Sequence, residues 1–75
     1  MGPQISRTLG RNLRGFRKAE DLSQEAFAEV LGVHRTYMGA LEWGERNVSL
    51  RSVEKIAGML KIEPLLLLSE PGRSG

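Results

Sequence analysis

The stretch LSQEAFAEVLGVHRTYMGALEWG, residues 22–44, decides how this chain folds. Ser23 is a good helix N-cap, and Glu25 behind it places a negative charge in the first turn, where the helix dipole favours one. Phe27, Val30 and Leu31 are the apolar positions of this helix. Gly32 supplies the left-handed residue that ends a helix, so the element is only about two turns long. A second helix follows almost at once, Arg35 to Trp43, with Met38 and Leu41 as its buried pair and Gly44 as its stop. Ala28 falls where the two helices meet, and a small side chain there lets their backbones approach. Phe27, Leu31, Val33, Met38 and Leu41 are the positions that must be buried.

Upstream, Leu9, Leu13 and Phe16 recur at helical spacing, with Ile5 one turn earlier, while Arg7, Arg11, Arg14 and Lys18 take the opposite face. This predicts an amphipathic first helix ending near Ala19 to Asp21. Downstream, Glu45 to Val48 reads as a polar loop. Ser49 then caps a helix in which Leu50, Val53, Ala57 and Leu60 hold the period, with Ile56 beside them. Pro64 suits the first turn of a short fifth helix carrying Leu65 to Leu68. The pattern contains no strand and no repeat. It predicts an all-α fold, a compact bundle of about five short helices, forming one domain over residues 5–69. Residues 1–4 and 70–75 read as frayed termini.

Composition narrows the function classes. At 75 residues with no cysteine, the chain can form neither a disulfide nor a thiolate metal site. A core this small usually contributes only ~3–5 kcal/mol, so a partner subunit would help. Lys and Arg number 11 against 9 acids, a net charge of +2, yet Arg7, Arg11, Arg14, Arg17 and Lys18 all precede the first acid, Glu20. Such a basic segment suits a polyanion; a solvated helix face is the plainer reading. There is no nucleophile–base constellation and little room for an active-site cleft, so an enzyme is not expected. His34 is the one histidine, which argues for a capping or phosphate role and against a metal. Trp43 reads as a packing residue at its helix end. Neither a membrane-spanning run nor a signal-peptide pattern is present, and a cytoplasmic protein without cofactor or small-molecule ligand is expected.

Two short helices joined by a tight glycine turn define a helix-turn-helix. Residues 22–33 and Met38 through Leu41-Glu42-Trp43-Gly44 resemble the Cro and phage-repressor type of this domain, a likeness that runs from Leu9 to about Leu67. More narrowly, His34-Arg35-Thr36-Tyr37-Met38 with Glu45-Arg46-Asn47 resembles the small controller proteins of restriction–modification systems. The resemblance implies a transcriptional regulator of double-stranded DNA. It implies that Arg35 and Thr36 open the recognition helix and face base edges, the arginine fork matching guanine O6 and N7. Tyr37 would reach a phosphate or a base edge, and Ala40 a thymine methyl. Gln24 would hydrogen-bond a phosphate, with Ser23 and His34 as further backbone contacts at helix N-termini. Arg46 and Asn47 would contact the backbone, or an adjacent base step, from the following loop. The chain also departs from the family. His34 replaces the usual Ser, Thr or Asn cap, so a weaker start to the third helix is expected. Gly39 lies inside that helix at a cost of ~1 kcal/mol. Ala40 stands where many relatives carry a long base reader.

The family likeness further implies that Arg17, at the border of the first helix's apolar face, meets Glu42, next to buried Leu41, as an ion pair. Four consecutive leucines on a helix that short cannot all turn inward, so Leu65, Leu66 and Leu68 are expected to form a homodimer interface, with a near-palindromic site. Two alternatives stand beside this reading: an antitoxin-like DNA-binding protein with a protein partner, and a helical adaptor without DNA binding. Arg35, Arg46 and Gln24 argue against the adaptor, and a tail this short after Ser69 argues against a toxin-binding segment.

Overall fold

Helix boundaries in this chain follow its cap chemistry. The computed structural model describes residues 3–45 and 48–69. These described residues form five helices: α1 Pro3–Ala19, α2 Gln24–Leu31, α3 Arg35–Trp43, α4 Leu50–Leu60 and α5 Pro64–Leu68. No strand occurs among the described residues. Helix α1 begins at Pro3, two residues before the expected Ile5, with proline at a position that needs no N–H. Ser23 and Ser49 cap α2 and α4 by accepting the backbone N–H of Ala26 and Ser52 at 3.0 and 3.2 Å. Gly32 and Gly44 end α2 and α3 at φ of 68° and 70°, where a Cβ would be strained. Asp21 and Lys61 take the same left-handed conformation after α1 and α4 without being glycine.

The core is shared by all five helices. Leu9 and Leu13 of α1, Phe27 and Leu31 of α2, Met38 and Leu41 of α3, Val53 and Ile56 of α4, and Leu67 of α5 are buried. Fully burying a side chain of this kind contributes about 1.5–3 kcal/mol. Helix α1 packs across α3 and α5, α2 packs on α3 and α4, and α4 packs on α5.

Three apolar positions, in α2 and around the start of α4, depart from the expected pattern. Val30 is 46% exposed, because the stripe α2 turns inward is Phe27, Ala28 and Leu31. Leu50 is 57% exposed, and Val48, read from its polar neighbours as part of a loop, is buried in its place. Val48 immediately precedes the cap Ser49, and Val53 is the fourth residue of α4; both are buried. That spacing is a hydrophobic staple, which fixes the angle at which the chain enters a helix. It recurs as Leu22 with Phe27, Val33 with Met38 and Ile62 with Leu67, the first of each pair partly buried against the core and the second fully buried. Each helix after α1 is therefore aimed by one apolar residue outside it.

Candidate nucleic-acid interface

Helix α3 divides cleanly into two sides. Met38, Leu41 and Glu42 are buried, and Tyr37 is half-buried against the core. At 100° per residue, Arg35, Thr36, Gly39, Ala40 and Trp43 share the opposite side. Arg35, Thr36 and Trp43 are exposed, and Gly39 and Ala40 are half-buried. The outward side thus carries long or polar side chains at its start, small ones in its middle and an aromatic ring at its end.

The start of α3 is firmly capped, contrary to expectation. His34 Nδ1 accepts the Thr36 backbone N–H at 3.1 Å. An accepting Nδ1 leaves the ring proton on Nε2, so the same side chain offers an outward N–H donor. Arg35 Nη1 stands 3.8 Å from Glu25 Oε2, with both side chains about 70% exposed, a loose pair that solvent screens. Ser23 uses its oxygen on the α2 cap, and its hydroxyl hydrogen remains a donor.

Behind this surface lies a polar cluster. Arg17 grips Glu42 with two hydrogen bonds, Nε to Oε2 at 2.7 Å and Nη2 to Oε1 at 3.1 Å. The carboxylate is 1% exposed and the Arg17 side chain 17%. Arg17 Nη1 also donates to the Leu22 carbonyl at 3.0 Å, tying α1 to the turn before α2. Gln24, expected to reach a phosphate, donates Nε2 to Glu42 Oε1 at 3.1 Å. That bond fixes the amide, and its second N–H is the one left for an outside acceptor. Trp43 is not the packing residue at the helix end that the sequence suggested. It is 67% exposed, and the Arg14 guanidinium lies over its ring, 4.9 Å from the centroid. The reason lies in register: Trp43 falls on the outward side of α3, one residue past Glu42. Arg46 and Asn47 lie outside the described residues.

At the far end of the fold, Leu65 and Leu66 are 74% and 55% exposed, Leu67 is fully buried, and Leu68 is half-buried against the core. The outward pair of α5 is therefore Leu65 and Leu66, with Leu68 turned partly inward. Asn12, a residue no sequence pattern marks, holds this helix down: its Nδ2 donates to the carbonyls of Leu67 and Ser69 at 2.6 and 2.8 Å. No group of acids and histidines that could hold a metal ion occurs among the described residues. No helix among them is long and apolar enough to cross a membrane.

Comparison with known proteins accords with this geometry. The family model described as a helix-turn-helix domain matches residues 8–67. The control protein C.SmaI of Serratia marcescens is 41% identical over 68 residues, covering 91% of this chain and 81% of that one. The control protein C.BamHI of Bacillus amyloliquefaciens is 39% identical over 69 residues, 91% and 85% of the two chains. Among solved structures, the restriction-modification controller protein C.AhdI from Aeromonas hydrophila superposes with a TM-score of 0.71 at 45% identity, covering 83% of this chain and 94% of that one.

Proposed function

The chain belongs to the helix-turn-helix family, together with the control proteins of restriction–modification systems, and on that premise we propose that it reads a near-palindromic operator as a homodimer and controls transcription of such a system. Membership makes it a DNA-binding transcriptional regulator and not an enzyme. The observation that carries the finer reading is the outward side of α3. Arg35 and Thr36 stand exposed at its capped start, and the small Gly39 and Ala40 behind them let the helix axis approach the floor of a major groove. Flanking donors at Ser23, Gln24 and His34 suit phosphates on either side. A DNA-binding regulator of this family is expected to work in the cytoplasm.

Arg35→Ala should weaken operator binding by about 1–3 kcal/mol and relax preference at one base pair. Binding-site selection with both proteins checks this: an identical consensus for the variant removes Arg35 from base reading.

The dimer is supported by the exposed Leu65 and Leu66 on a domain too small to read a unique genomic site alone. A two-fold pair would set two α3 helices roughly 34 Å apart, one turn of DNA. Leu65→Asp with Leu66→Asp should yield a monomer with weakened operator binding. Analytical ultracentrifugation at micromolar concentration reads it, and a wild-type protein that sediments as a monomer without DNA removes the preformed dimer.

A further inference from the structure

The outward side of α3 ends at Trp43, and what gathers there is basic. Arg14 lies over the Trp43 ring, donates Nη2 to the Glu42 carbonyl at 3.5 Å, and holds Nε 4.0 Å from Glu42 Oε1. Arg7 and Arg11 precede Arg14 at helical spacing on the same face of α1, and both are exposed. Together with Trp43 and Glu42 these arginines wall one shallow depression. Its single carboxylate is buried and already held by Arg17 and Gln24. No described acid pairs with Arg7 or Arg11. Like charges four residues apart destabilise a helix, and of the three arginines only Arg14 is held by the fold among the described residues, through Trp43 and Glu42.

We infer that Arg7, Arg11, Arg14 and Trp43 form a second phosphate-binding surface, which grips the DNA backbone beyond the bases that α3 reads. Two placements select DNA over a protein partner. Trp43 shares its side of α3 with Arg35 and Thr36, so a helix laid in the groove carries this end toward the flanking backbone. Glu42 Oε1 is flanked by both Arg14 and Gln24, which makes the patch continuous with the N-terminus of α2, the other phosphate-facing end. The chemistry fits as well. A guanidinium presents a planar fork to phosphate oxygens, and one already held on an aromatic ring loses less freedom when it binds. This inference rests on the DNA-binding reading above and adds to it a longer footprint.

Arg7→Gln with Arg11→Gln tests it, since no described acid pairs with either guanidinium. The slope of log affinity against log salt should fall by about one unit for each arginine, while the selected consensus stays the same. Trp43, the one tryptophan of the chain, gives an independent readout. Acrylamide should quench it less in complex with an operator carrying several flanking base pairs than with one trimmed to the selected site. An unchanged salt slope, together with a Trp43 equally open to acrylamide in both complexes, overturns the inference and leaves the patch to an acidic protein partner. A wild-type protein that selects no duplex at all removes the DNA reading itself and this inference with it.

Discussion

Replacing Arg17 by alanine should remove about 3–5 kcal/mol of folding stability, because it strands a carboxylate that has almost no contact with water. Glu42 is 1% exposed and takes two of its three short hydrogen bonds from Arg17, at 2.7 and 3.1 Å. What remains is one amide N–H from Gln24 at 3.1 Å and an arginine nitrogen 4.0 Å away. Those offset part of the lost charge and fall well short of a bidentate pair. The loss is comparable to the whole stability expected of a domain this size, so the variant should be largely unfolded at 37 °C by circular dichroism. The double variant Arg17→Met with Glu42→Leu discriminates the cause. Removing both charges leaves nothing stranded, and it should recover most of the stability. A single variant that melts within 1 kcal/mol of wild type in urea, with an unchanged slope, would show the carboxylate to be solvated in solution.

Much of the fold is legible in the sequence because each boundary is written in local chemistry. Ser23, Ser49 and Pro64 start helices, and Gly32 and Gly44 end them, through contacts made within a few residues. Local chemistry also explains the errors. Val48 is surrounded by Glu45, Arg46, Asn47 and Ser49 and so reads as loop; the clue was its place just before a cap, five residues ahead of Val53. His34 is a poor cap by residue type, yet its Nδ1 accepts the backbone N–H two residues on, where Ser23 and Ser49 accept the one three residues on.

The interface is legible to a different degree. The exposed start of α3 follows from where its apolar face lies, while the base-reading role of Arg35 and Thr36 came from the family resemblance. The role of Gln24 could not be read from the sequence, because its partner Glu42 sits 18 residues away on another helix. Asn12 is the extreme case: its carbonyl partners on α5 lie more than 50 residues on, and no spacing rule links them. Trp43 was misread for the opposite reason. Its apolar character suggested packing at the helix end, whereas the helical angle alone puts it outside with Arg35.

Gly10→Ala should destabilise the protein by about 3 kcal/mol, the upper end of ordinary overpacking, although alanine is the better helix former. A Cβ at this position would lie 2.5 Å from the Leu41 carbonyl oxygen and 2.6 Å from that of Glu42. Both obstacles are backbone, so no rotamer change relieves them; α1 or α3 must move. Gly10 is thus the contact point where α1 crosses α3, and its missing side chain sets how close the two helices lie. That closeness is what lets Arg17 reach Glu42 from one helix to the other. The variant should therefore loosen the ion pair and tilt the helix that carries Arg35, so operator affinity should fall along with stability. Gly58→Ala in α4 is the matched control. Nothing lies within 4 Å of a Cβ there, and the change should stabilise by about 0.5–1 kcal/mol through helix propensity and a less flexible unfolded chain. Urea unfolding of the two variants against wild type gives shifts of opposite sign if the crossing is as tight as its geometry. A Gly10→Ala protein as stable as wild type would place the helices further apart in solution and take the close crossing out of the account of the site.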